Sequence, residues 1–243
     1  MSLLIAALLL PILGTALGAG GVFIKGIEFS RMKPYLLSLS AGIMLASSFW
    51  SLLIPAFEKG TAVIPLFGLW TGVLFIILIE KLTSQRMSLQ DSKSASFMTA
   101  VTVHNIPEGI AVGVAAASAF VSGTASSRAA ALSLAIGIAL QNIPEGAVIS
   151  MPLYYGGNSK RKSFALGVLS GIAEPVFAFA ALLFSGLLTR LLPLFLGFAA
   201  GAMIYVTVYD LVCEVCREKR EGIMSEVFFF VGFTLMTVAD KLV

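Results

Sequence analysis

Eight mostly apolar stretches of about twenty residues, the length that crosses a bilayer as a helix, follow one another along this chain. They lie at roughly 3–24, 35–57, 62–82, 97–121, 129–152, 163–185, 190–212 and 223–242. The separators are short and hold most of the charges and turn residues, as in Lys25 to Pro34, Gln85 to Ser94, and Gly156 to Lys162. Charged residues are 12% of the 243, about half the share of a soluble domain, so little material is left to face water. The expected fold class is an all-α polytopic membrane protein, a single transmembrane domain over 1–243 in a plasma or inner cell membrane. Glycine-rich spans without the short alternation of barrel strands exclude a barrel. The first partner is therefore the lipid bilayer. Net charge is only +3 with no basic, aromatic-interleaved cluster, so nucleic acid is not a partner.

Lysine and arginine give the orientation. The separators after the first, third, fifth and seventh spans hold 12 of the 16, and the other side holds Lys59, Arg128, Arg190 and Lys241. Positive loops stay in the cytoplasm, so both termini are expected outside, which requires an even number of spans. The start Met-Ser-Leu-Leu has no positive n-region, so the first run reads as a retained helix and not a signal peptide. The two cysteines, Cys213 and Cys216, fall near the cytoplasmic end of the seventh span and imply no disulfide framework.

Against this apolar background, two copies of Asn-Ile-Pro-Glu-Gly stand out, at 105–109 and 142–146. Glu108, Glu145 and Glu174 all lie inside spans, where a carboxylate costs roughly 2.5–3.5 kcal/mol, so a cation or a watery path is needed to offset them. His104, the only histidine, precedes Glu108 by four residues and shares its helix face. Gln141 and Glu145 repeat that spacing, and Asn105 and Asn142 stand next to His104 and Gln141. Pro107, Pro144 and Pro175 cannot bond back to the carbonyls of Val103, Leu140 and Gly171, so kinks are expected beside the carboxylates. Freed carbonyls at membrane depth are tolerated only where protein buries them or they line a cavity. Oxygen and imidazole donors without thiolate suit Zn²⁺, Fe²⁺, Mn²⁺ or Co²⁺.

A weaker similarity relates residues 40–51 to 199–210, with Ala-Gly-x-Met in register at Met44 and Met203. The two copies would cross the membrane in opposite directions, as would the two Asn-Ile-Pro-Glu-Gly copies. That is the trace of an inverted-repeat transporter with a midplane site, although small residues also serve plain helix packing.

The His-Asn-x-Pro-Glu-Gly motif at 104–109 resembles the hallmark of the ZIP (Zrt/Irt-like) metal transporters. Gln141 to Gly146 and the Glu174-Pro175 pair make the chain similar to their prokaryotic GufA-like branch, over essentially its full length. The resemblance implies eight spans with both termini outside and import of a divalent metal, zinc foremost, with iron, manganese and cadmium as further cargoes. His104, Glu108, Gln141 and Glu145 would hold the transported ion, while Asn105, Asn142 and Glu174 complete a second site bridged by Glu108 and Glu145. Met44 and Ser51, seven apart and hence on one face, would line the outer path, and Asp210 stands near the inner end of span seven. Many relatives carry more carboxylate and imidazole in span five, where this chain has Gln141, Asn142 and Gly146. No prosthetic group is implied, only the transported metal, and a homodimer is compatible with the sequence.

Two rivals belong to other classes. An intramembrane metallohydrolase would need an HExxH-like helix, which one histidine cannot supply. A proton-coupled carrier of a small organic cation or solute would use the glutamates as relays. The expectation is a transporter and not an enzyme.

Overall fold

The computed structural model of the chain describes residues 2–24, 28–58, 61–86, 93–184, 191–217 and 223–242. Within its helices the side chains of His104, Pro107 and Asp210, among others, lie outside the described set, as do Lys25, Lys59, Arg190, Lys219 and Arg220 of the charge count.

Among the described residues the chain forms eight helical runs. α1 is Ser2–Ala19, extended by a tight turn Gly20–Phe23. α2 covers 29–58 as Phe29–Ser47, a π turn Ser48–Leu53, and Ile54–Glu58. α3 is Val63–Arg86, α4 Lys93–Ser122 and α5 Ala125–Tyr155. α6 covers 160–183 as Lys160–Ser170 and Ala173–Leu183. α7 covers 192–217 as Leu192–Val206, a π turn Thr207–Val212, and Cys213–Arg217, and α8 is Met224–Leu242.

Among the described residues, five runs are long and apolar enough to cross a membrane: Ile5–Phe23, Arg31–Glu58, Ala125–Tyr155, Lys160–Leu183 and Leu192–Tyr209. Val63–Ile79 and Glu108–Ser122 are shorter apolar stretches, and α8 carries Glu226, Asp240 and Lys241 near its ends. α4 and α5 are nearly continuous. Only Gly123, at φ 64°, and Thr124 separate them, where a wider loop was expected over 122–128. The Thr124 side chain caps α5 by accepting from Ser127 N at 3.2 Å.

The helices pair off closely: α1 with α5, α4 with α6, α2 with α8, and α3 with α7. Alanine dominates the shared core (Ala111, Ala116, Ala135, Ala199 and Ala200 are all buried), which lets backbones come near one another. Gly146 and Gly109 are two of the places where backbones meet in this way. A β-carbon would lie 2.1 Å from Thr15 O at the first and 2.4 Å from Glu174 O at the second, so both contacts exist only because the side chain is hydrogen.

Those two glycines occupy the same place in the two Asn-Ile-Pro-Glu-Gly copies, and Thr15 and Glu174 are separated by the spacing that separates Met44 from Met203. The π turns obey it too, since Ser48–Leu53 and Thr207–Val212 follow the two methionines at matched positions. In each, a hydroxyl reaches back four residues: Ser48 Oγ donates to Met44 O at 2.7 Å, and Thr207 Oγ1 to Met203 O at 2.8 Å.

Candidate metal centre

α4 and α5 run as helix straight through positions 107 and 144, where kinks were expected. Beside the third proline the helix is interrupted. α6 breaks at 171–172, and the Gly171 carbonyl, expected to be freed by Pro175, accepts instead from Glu174 N at 3.2 Å. Tightening to a three-residue bond takes up the carbonyl that the proline could not reach. Glu174 thereby sits in the first turn of Ala173–Leu183, where the helix dipole favours a carboxylate.

Glu108, Gln141, Asn142, Asn105 and Glu174 are all buried, at 1% exposure or less, while Glu145 is half-buried. Gln141 Nε2 donates to Glu108 Oε1 across α5 and α4. Asn142 Nδ2 donates to Glu174 Oε2 at 2.8 Å across α5 and α6, and also to Pro11 O in α1 at 3.2 Å. Asn105 Nδ2 donates to Ser170 O at 3.0 Å, the carbonyl that ends the first half of α6. Ser40 Oγ of α2 lies 3.1 Å from Glu145 Oε1 and 3.4 Å from Gln141 O. Each amide thus spends its N–H on a carbonyl or carboxylate, which leaves its oxygen to face elsewhere.

Five of the oxygens accept no hydrogen bond among the described residues: Asn105 Oδ1, Glu108 Oε2, Gln141 Oε1, Asn142 Oδ1 and Glu174 Oε1. A buried acceptor without a donor costs about 1–3 kcal/mol, more when charged. Five grouped on three neighbouring helices form a hard, oxygen-rich set that a divalent cation would satisfy.

Other expected residues fare differently. Among the described residues no three His, Cys, Asp or Glu side chains come together, because Gln141, Asn142 and Asn105 stand beside the carboxylates as amides; the His104 and Asp210 side chains lie outside that set. Met44 is buried at 1% exposure in the α2 packing. Ser51 lies inside the π turn, so the seven-residue argument placing it on Met44's face loses its basis, since that spacing assumes unbroken α-helix. Its hydroxyl donates to Asp240 Oδ1 of α8 at 2.9 Å. Sequence reasoning passed over Asp240, Ser40 and Thr15. Thr15, buried at 2% exposure, interacts with Glu174; its position as Glu174's counterpart at the methionine spacing was the available signal.

A family model described as ZIP zinc transporter matches residues 87–240, well over half of the chain. The chain belongs to the ZIP zinc transporter family. It is 32% identical to the zinc transporter GufA of Myxococcus xanthus, with 97% of each covered, and 31% identical to the zinc transporter ZIPB of Bordetella bronchiseptica, covering 93% of this chain and 76% of the other. With the zinc transporter ZIP11 of Homo sapiens it shares 34% identity, over 60% of this chain and 42% of that one. With its apolar helices, this ZIP chain is a multi-pass membrane protein.

Proposed function

We infer that the protein imports divalent transition-metal ions, zinc foremost and iron, manganese or cadmium as competitors, through an intramembrane, binuclear centre. The observation that carries this reading is the group of five buried oxygens without donors on α4, α5 and α6. A hydrated divalent ion gives up its water to enter, and carboxylate and amide oxygens replace that shell. His104, Glu108, Gln141 and Glu145 hold the ion in transit, and Asn105, Asn142 and Glu174 hold a second, with Glu108 and Glu145 bridging. Met44 and Ser51 line the outer path, and Asp210 stands towards the inner end.

Eight spans with both termini outside a plasma or inner membrane complete the reading, and the matched contacts of α1–α5 and α6–α4 support an inverted repeat. No nucleotide is needed for inward flux. A divalent ion gains about 4.6 kcal/mol per 100 mV, twice the single-charge value.

The test is zinc flux into sealed vesicles holding only this protein and a metal-sensitive dye. Zinc-dependent filling, competed by manganese or cadmium, is expected. Proton or organic-cation flux without metal flux would replace the reading with that of a solute carrier. Tags at both termini should be reached from outside intact cells, and a cysteine at Ser159 should not react with an impermeant reagent.

A further inference from the structure

The pocket around Glu174 has one wall that the ligand assignment leaves unused. Thr15 lies in the interior of α1, and its hydroxyl is bound only loosely to its own helix, to Pro11 O at 3.4 Å. A β-carbon on Gly171 would meet Thr15 Oγ1 at 2.8 Å, so the hydroxyl stands against the turn that introduces Glu174. It also interacts with the Glu174 carboxylate. That carboxylate takes the Asn142 amide on Oε2, and Asn142 donates to Pro11 O as well. Thr15, Pro11, Asn142 and Glu174 therefore form one connected polar group, in which the Thr15 O–H has two acceptors within reach.

A threonine buried against helix backbone could be a packing residue, with its hydroxyl bonded back to position i−4. Two observations argue for more. The back-bond is long, whereas those of Ser48 and Thr207, which serve only their own helices, are 2.7 and 2.8 Å. Thr15 also interacts with a carboxylate whose second oxygen, Glu174 Oε1, lacks a donor, as do the amide oxygens of Asn105 and Asn142.

We propose that Thr15 is a positioning residue for Glu174: its hydroxyl orients the carboxylate so that Oε1 faces the oxygens of Asn105 and Asn142, and it thereby sets how tightly a second divalent ion is held. The hydroxyl, set between Pro11 O and the carboxylate, can donate to either, and it acts on the ion only through the carboxylate. This rests on the metal-centre reading above.

The experiment is equilibrium zinc binding to the purified full chain, with KM and Vmax from vesicle uptake, for Thr15→Val, Thr15→Ala and Thr15→Ser. Valine keeps the shape and loses the hydroxyl; alanine adds no bulk; serine restores the hydroxyl. Valine and alanine are expected to weaken the second zinc about tenfold, the scale of one charge-assisted hydrogen bond, with the first zinc and Vmax unchanged and KM shifted. Serine should return both to the wild-type values. Wild-type binding in valine and alanine, equal impairment in serine and valine, or loss of folded protein in both valine and alanine would each overturn the proposal. A wild-type chain that binds no zinc would instead remove the metal-centre reading, which separates the two failures.

Discussion

Asn142 is tied to the Pro11 carbonyl of α1 and Asn105 to the Ser170 carbonyl of α6, at 3.2 and 3.0 Å. Gly146 lies over Thr15 O, and Gly109 over Glu174 O, at nearly the same closeness. Yet the side chains set on these matched supports differ. The α4 copy has His104 where α5 has Gln141, α6 has Glu174 where α1 has Thr15, and α2 has Ser40 where α7 has Ala199. Backbone contacts are duplicated and chemistry is not. The frame needs small residues and carbonyl acceptors at fixed places, which either half can supply. The residues that differ between the halves are among those proposed to hold the ion or to surround it.

The largest effects should come from the unmatched chemistry. His104→Ala and Glu108→Ala should each lower vesicle zinc uptake about a hundredfold or more, beyond the 10–100-fold typical of a ligand's supporting partners, with expression intact. Uptake at the wild-type rate in both would break the comparison at its chemical end. Next comes the shared frame: Gly109→Ala and Gly146→Ala should each cost about 3 kcal/mol or more of stability, from overpacking against backbone. Thermal melting in detergent should show similar losses, and a large loss at only one glycine would mean the two contacts are not equivalent. Glu174→Ala is expected to be milder, reducing bound zinc from about two ions to one while uptake persists with affinity shifted about tenfold. Three carboxylates carry about −3, so one divalent ion leaves the pocket negative and a second binds more weakly. Abolished transport, or a single ion in the wild type, would remove the separate second site. The smallest effect should be at Ser48→Ala and Thr207→Val, each within about 1 kcal/mol in stability, with little change in uptake.

The apolar runs and the paired Asn-Ile-Pro-Glu-Gly motifs were legible because lipid leaves so few polar residues unexplained. Glu108, Glu145 and Glu174 stand out against leucine as they never would on a soluble helix. Thr15 was hard to read, since a threonine in an apolar helix costs little; its one mark was its place as Glu174's counterpart at the methionine spacing. The break in α6 was half legible: Pro175 announced a missing bond, but only the fold shows Glu174 N taking the Gly171 carbonyl. Proline alone also did not tell a kink from a break, because α4 and α5 continue as helix through positions 107 and 144 whereas α6 breaks before Pro175. The π turns had no sequence mark, as the wider bond pattern depends on what packs around it.

Those π turns change how any residue-by-residue survey of α2 and α7 will read. A helical wheel drawn at a constant angle places residues correctly up to Ser48 and up to Thr207, then falls out of phase, because each wide turn absorbs part of a residue's rotation. Cysteines substituted one at a time along α2 should therefore give a wave of reagent accessibility that slips once, near Ser48. A second scan along α7 should slip at the matching place, near Thr207, and a single uninterrupted period fitted to either helix would assign its far end to the wrong face.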